Sequence, residues 1–345
     1  MLRSSRVSGR QLFTLDSTLH DMYAGKVNSP KFKRSPLSYQ GEIPSFIPEN
    51  AYSAAFGLQW NTWVNTQLDS HTGLPITADR TERMFGPLYS TLLGKQVLEA
   101  GCGAGRFTQI LLKQGAFVTA FDISSAVYSN QVNNVDNARL RLFRGSITDI
   151  PIEDNSFDIV FCPGVVQHTP NPKDTIHSLW AQVKPGGYLI FDQYRHNFST
   201  WMRTAWLVRL LLRTFKPDQN LRITNLLVKW WYPIHRAVAP YRLLEKILFR
   251  VSPITAHFNG YPLLSESDRY AWAQLATHDN LTDYYKHQTT LKRLQGLTNS
   301  LDTSGEYFLV KAYTIEVRLQ KANVNEKARK KSEVIFLKSS DHPSG

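Results

Sequence analysis

The sequence predicts an α/β fold, a seven-stranded, mostly parallel sheet with helices on both faces, and three observations carry that prediction. Val97–Ala100 is an apolar strand that closes through Glu99 on alternate glycines, Gly101, Gly103 and Gly105. A second apolar run, Phe117–Phe121, ends on Asp122. Strand-like and helix-like periods then alternate as far as Asp192, the pattern of a Rossmann-like doubly wound sheet.

In chain order, residues 1–48 are rich in Ser, Pro, Lys and Arg and read as a basic, loosely ordered N-terminal arm. Met1 to Phe13 carries Arg3, Arg6 and Arg10 and no acid, a faint likeness to a mitochondrial presequence. It lacks the continuous apolar core of a secretory signal, and a cytoplasmic protein is the preferred reading. Residues 49–192 read as the nucleoside-binding domain. It opens on a helical lead-in with Tyr52, Phe56, Trp60, Trp63 and Val64 on one face. After the glycines, Phe107, Ile110, Leu111 and Leu112 mark the inner side of a helix. Phe157–Cys162 reads as the fourth strand and Tyr188–Phe191 as the fifth, with Lys184–Gly187 an architectural turn between them. Residues 193–289, dense in Trp, Leu and Arg, read as a helical, basic cap inserted into the domain. Residues 290–320 supply the last helix and the terminal strands, and the polar tail 321–345 is expected to be without order in solution.

Glycines in the strand-to-helix turn let bare backbone approach a ligand, and a carboxylate ending the next strand can accept ribose hydroxyls. Arg106 occupies the sixth place of G-x-G-x-x-G, where a dinucleotide site needs Gly or Ala, which disfavours NAD and FAD. No Lys-Ser or Lys-Thr stands where a phosphate-cradling loop needs it.

From Arg80 to Asp192 the chain resembles the class I S-adenosylmethionine-dependent methyltransferases, of the type-11 and type-23-like small-molecule kinds. The resemblance implies S-adenosyl-L-methionine as cofactor. Gly101, Gly103 and Gly105 would form its loop, Glu99 would orient the loop or the amino group, and Asp122 would hold the ribose. The family's third element matches Gly145–Pro151, with Ser146 in place of the usual aspartate. Adenine recognition would then rest on the Ser146 hydroxyl, the Ile147 backbone and apolar packing, with Asp149 a second acidic candidate.

Methyl transfer to oxygen also needs a base. His168 follows the fourth strand, and its alternative role is to line the cofactor pocket. The cluster Thr277 to His287 resembles a substrate-facing loop in a subset of the family. His278 with Asp279, or His287, would serve as base, and Tyr284 and Tyr285 as walls or donors. A capping loop without catalytic duty is the competing reading. The cluster lacks the paired carboxylates of a metal site, so no metal is assigned.

Forty Lys plus Arg against 28 Asp plus Glu give a net charge of +12, and eleven of the basic residues fall between Arg195 and Arg250 against Asp218 and Glu245. With Trp201, Trp230, Trp231 and Tyr232, these residues suit either a solvated helical cap or peripheral contact with an anionic membrane surface. Nucleic acid is disfavoured because no recognition fold accompanies the patch. Cys102 and Cys162 read as packed thiols. The function expected is methylation of a small-molecule, saccharide or lipid-linked acceptor, at oxygen by preference. The rivals are a binding or scaffold protein that has kept the fold, and an RNA methyltransferase.

Overall fold

A run such as Phe157–Cys162 is apolar at nearly every position because both faces of a parallel sheet are covered. In the computed structural model the sheet takes that form. The structure describes residues 30–48, 54–135, 137–196, 204–256, 258–301, 303–310, 314–323 and 332–336. Met1 to Phe13, Tyr52, Trp201 and Arg203 lie outside the described residues.

Eleven strands form one sheet among the described residues: β1 (Ser38–Gln40), β2 (Ile43–Ser45), β3 (Gln96–Ala100), β4 (Phe117–Asp122), β5 (Leu140–Arg144), β6 (Phe157–Cys162), β7 (Val183–Arg195), β8 (Gln288–Thr289), β9 (Thr303–Val310), β10 (Thr314–Lys321) and β11 (Ser332–Phe336). The order is β1-β2-β5-β4-β3-β6-β7-β10-β9-β11, with β8 against β7. The seven expected strands are its centre, β5-β4-β3-β6-β7-β10-β9. The sheet exceeds the expected count because three short edge elements and a tail strand join it. Two of these come from the predicted arm, which enters the sheet where Phe46 N–H donates to Arg144 O at 2.9 Å. The fourth, β11, lies in the tail expected to lack order and pairs in parallel with β9.

Strands β3 to β7 run parallel, and β10 is antiparallel to both of its neighbours. From β3 the chain steps outward to β4 and β5, then returns to β6 on the other side of β3. That reversal opens a crevice at the carboxyl ends of β3 and β6, where ligands of such sheets bind.

The helices are α1 (Ala54–Thr62), α2 (Asp69–Thr72), α3 (Ile76–Phe85), α4 (Arg106–Lys113), α5 (Ala126–Asn133), α6 (Pro172–Gln182), α7 (Thr204–Leu212), α8 (Pro217–Val238), α9 (Arg242–Val251), α10 (Glu266–Thr282) and α11 (Leu291–Thr298). Alternation sorts the strand residues between two layers. Leu98, Ala100, Val160 and Phe191 pack with Ile176 and Leu179 of α6 and Leu294 of α11. Val97, Ala120 and Phe161 pack with Met84 and Phe85 of α3 and Phe107 and Leu111 of α4. Each large buried side chain contributes about 1.5–3 kcal/mol, so this core fixes where the strand ends, and hence the site, stand.

The cap is α7 to α10. Val228 and Tyr232 of α8 and Ala273 of α10 enclose a small second core with Ile254 and Phe258. Pro233 lies inside α8 on its exposed side rather than ending it. No helix among the described residues is long and apolar enough to cross a membrane.

Candidate functional site

The turn between β3 and α4 requires glycine because its backbone is left-handed, with φ of +75° at Gly101, +52° at Gly103 and +91° at Gly105. A Cβ on Gly101 would run into Val165, and one on Gly103 would touch the Trp60 ring at 3.4 Å. One on Gly105 would strike Asn130 of α5, so this third glycine serves helix packing rather than an open cradle.

Asp122 ends β4 beside that turn. Its Oδ2 accepts from Gly103 N–H at 2.9 Å, and its Oδ1 accepts from the Ser124 N–H and hydroxyl at 2.8 and 2.7 Å. Burial pushes its pKa up against these bonds. The carboxylate thus fixes the loop and keeps one acceptor direction, on Oδ2, for a ligand hydroxyl. Glu99 is fully buried. Its Oε2 accepts from the Thr108 hydroxyl at 2.5 Å and its Oε1 has no partner. Burial pushes this acid up to about 8, against the Thr108 bond and Arg106.

Next to Asp122, Gly145 N–H donates to the Asp122 carbonyl at 3.0 Å. The Ser146 and Thr148 hydroxyls lie 2.9 Å apart and Ile147 is buried. Asp149, the second acidic candidate, is exposed and held by Arg34 through bonds of 3.0 and 2.6 Å.

Across the crevice, His168 closes a short turn after β6. Its Nδ1 lies 3.1 Å from Tyr285 O and 3.3 Å from Asp283 Oδ2. Burial opposes its charged form, but the Asp283 carboxylate outweighs burial and raises its pKa. Asp283 is itself buried with Arg209 Nη1 and Lys286 Nζ each 3.4 Å away. Burial works against the charge on Asp283, yet Lys286, His168 and Arg209 hold it well below the usual carboxylate range.

His278 and Asp279 were expected on a loop and lie instead on the last turns of α10, because Leu275, His278 and Leu281 recur at a helical spacing on a buried face. Gln59 of α1 joins both: its Oε1 is 2.9 Å from His278 Nδ1, and its Nε2 donates to Asp279 Oδ1 at 3.3 Å. Burial pushes Asp279 up, and the charge of Asp283 adds to the shift. Burial pushes His278 down to about 4. An unfolded His278 takes its proton near pH 6.5, so between 6.5 and about 4 the unfolded chain binds more protons and stability falls as pH falls. The expected loss is about 3 kcal/mol. Thermal unfolding from pH 7 to 4.5 should show it, and His278→Gln should remove that slope.

A cavity of about 380 Å³ opens beside the end of β7. Tyr284, Tyr285 and His287 line it together with His196, Arg209, Arg213, Asn280 and Lys286, whereas His278 and Asp279 do not. His287 N–H donates to Gln167 O at 2.9 Å, its ring lies parallel to that of Tyr285 with centroids 6.0 Å apart, and its Nε2 is buried without a partner. Of the sequence-derived candidates, Tyr284, Tyr285 and His287 line the cavity, while His168 contacts the Tyr285 carbonyl without lining it. Sequence reasoning assigned no site role to Arg80, Arg209, Asp283 or Lys286, and it placed Gln59 only in an element resembling one that folds over the cofactor. Arg80, in α3, donates to Asp192 at 2.7 Å and stands with Arg106 over the Phe107 ring at the mouth of the glycine turn. Asp192 also accepts from Gly164 N–H at 2.5 Å. Only the density of polar residues from Thr277 to His287 pointed toward Asp283 and Lys286.

A glycine turn and a strand-end carboxylate thus meet at the switch point of an α/β sheet. Comparison sharpens this: residues 98–191 match the family described as "Methyltransferase domain". The ubiquinone biosynthesis O-methyltransferase of Coxiella burnetii (strain RSA 493 / Nine Mile phase I) is 34% identical over 116 residues, 33% of this chain and 50% of that protein. The protein of the same name from Shewanella halifaxensis (strain HAW-EB4) is 28% identical over 156 residues, 41% of this chain and 60% of that one. The chain thus spans about half the length of the first of these relatives. Among solved structures, magnesium protoporphyrin IX methyltransferase from Synechocystis PCC 6803 with bound SAH aligns over 79% of this chain and 97% of that chain, at 14% identity and a TM-score of 0.44.

Proposed function

We propose that the whole chain is an enzyme that transfers a methyl group from S-adenosyl-L-methionine to an oxygen of a small-molecule acceptor. The observation that carries this is the juxtaposition of the Gly101–Gly103 turn with the Asp122 carboxylate at the switch point of the sheet. The residues fit the cofactor. The left-handed turn leaves bare backbone at Gly101 and Gly103, Asp122 Oδ2 keeps an acceptor for a ribose hydroxyl, and Glu99 Oε1 is a buried oxygen without a partner. The Trp60 ring lies against Gly103 and covers the turn. When bound, the cofactor supplies an electrophilic methyl group on sulfonium.

On the acceptor side, Tyr284 and Tyr285 wall the cavity, and His287, which also lines it, is the base that takes the hydroxyl proton. His168, Asp283 and Lys286 hold the backbone and charges of this wall in place. Arg209, Arg213 and Lys286 line the cavity, and with Arg209 and Lys286 facing Asp283 it is Arg213 that favours an acceptor carrying negative charge. Oxygen as the acceptor atom is supported by the names of the relatives.

His287→Ala is expected to lower kcat about 100- to 10,000-fold, the usual worth of a positioned base, with cofactor affinity unchanged. Steady-state kinetics with calorimetry checks this. The function itself is tested by incubating the protein with cofactor labelled in the methyl group and an extract of its source cells. Label in one small-molecule species, stable as an ether or ester, is expected. Label in RNA would favour the nucleic-acid reading. No transfer and no cofactor binding at high micromolar concentration would favour a protein that has kept the fold without turnover.

A further inference from the structure

We propose that the outward side of α7, α8 and α9 docks on an anionic lipid bilayer. Of the twenty large apolar side chains that stand exposed among the described residues, thirteen fall between 204 and 251. Helix α9 buries none of its residues. Leu243 is 72% exposed, and Leu244, Ile247 and Val251 continue its stripe at spacings of three and four. A helix of this pattern in a globular protein turns that stripe inward; here it faces out. Helix α7 adds Leu207, Leu210 and Leu211, and α8 adds Leu226, Ile234 and Trp230, the last 73% exposed. Helix α9 packs against both α7 and α8, and the Thr204 hydroxyl at the start of α7 donates to Arg250 O at the end of α9. The exposed side chains thus stand on α9 and the two helices it packs against.

Charge selects the occupant. Between 204 and 251 there are nine Lys or Arg against Asp218 and Glu245, and of the nine only Arg209 is buried. A second copy of the chain would oppose this face with the same sign. An anionic headgroup layer neutralises it, while the long basic side chains reach up beside the apolar ones that enter the acyl boundary. Thirteen exposed apolar side chains set among basic residues favour a membrane-contact surface over ordinary solvated helix. Trp206 and Arg213 line the cavity, and Trp206 also belongs to the exposed set. A docked cap would thus turn the cavity toward an acceptor carried in the bilayer. That consequence rests on the proposed function, whereas docking does not.

The test is sedimentation of the full chain with vesicles of phosphatidylglycerol mixed with phosphatidylcholine, alongside vesicles of phosphatidylcholine alone. Partitioning at least ten-fold stronger on the anionic vesicles is expected, falling as salt rises. Leu243→Glu with Ile247→Glu should lower it at least ten-fold while the thermal midpoint and cofactor affinity stay those of the wild type. Arg242→Ser with Lys246→Ser, which leaves the apolar stripe intact, should lower binding to the anionic vesicles alone. The proposal is overturned if the chain stays in the supernatant with anionic vesicles, or if both pairs of substitutions leave partitioning unchanged. It is also overturned if the apolar pair abolishes a dimer in solution while vesicles capture nothing. Cofactor binding and methyl transfer are measured separately, so failure here is distinct from failure of the proposed enzyme.

Discussion

Asp122→Ala is expected to weaken S-adenosyl-L-methionine binding about 30- to 1,000-fold, which corresponds to about 2–4 kcal/mol. Two losses combine. A charge-assisted hydrogen bond to the ribose disappears, worth about 1.5–3 kcal/mol, and the turn itself loosens. Gly103 N–H and both donors of Ser124 lose the acceptor that now holds them at 2.7–2.9 Å. Asp122→Asn keeps the shape and one acceptor oxygen, so it should fall between the wild type and the alanine variant. Calorimetric titration of all three, with thermal unfolding to register loosening of the turn, measures the effect. Equal affinity in the three would remove Asp122 from the cofactor site.

The second large effect is on stability. Asp283→Asn removes the buried anion that faces His168, Arg209 and Lys286 at 3.3–3.4 Å. Leaving buried charge without its partner costs about 3–5 kcal/mol. The pH dependence follows from the directions of the shifts. Asp283 titrates lower in the folded chain than in the unfolded one, so its contribution is present above the unfolded value near 3.8 and is lost as pH falls through the folded value. His168 titrates higher when folded, so its contribution is complete below the unfolded value near 6.5 and is lost as pH rises through the raised value. The gap in thermal midpoint between wild type and Asp283→Asn should therefore be widest between about pH 4 and 6.5 and narrow on either side. A gap independent of pH would show that packing, rather than charge, is what the substitution removes.

The geometry of the glycine turn was legible in the sequence because its signals are local. Gly101, Gly103 and Asp122 sit within one strand, turn and strand, and positive φ at the glycines follows from neighbours in the chain. Gly105 looked equivalent to them, but only the packing of α5 shows that its missing Cβ makes room for Asn130. On the acceptor side the residue types were legible and their company was not. His278 and His287 stand nine residues apart, yet one turns toward Gln59 of α1 and the other lines the cavity against Tyr285, a difference set by where α10 ends. The Gln59 contact spans 219 residues and the His168 contact with Tyr285 spans 117, distances over which a pattern of residue types gives no register. The edge strands eluded prediction for a related reason. A segment of three residues such as β2 carries no period of its own and takes its form from the strand it borders.

The central claim is that an adenosyl cofactor lies over the Gly101–Gly103 turn with its sugar on Asp122 and its sulfur toward the cavity of His287. A crystal structure of the complex with S-adenosylhomocysteine tests this most directly. A ribose hydroxyl within hydrogen-bond distance of Asp122 Oδ2, with the thioether facing Tyr285 and His287, is the predicted result. Density for the adenosyl group elsewhere on the sheet, or a ribose with no contact to Asp122, would contradict it.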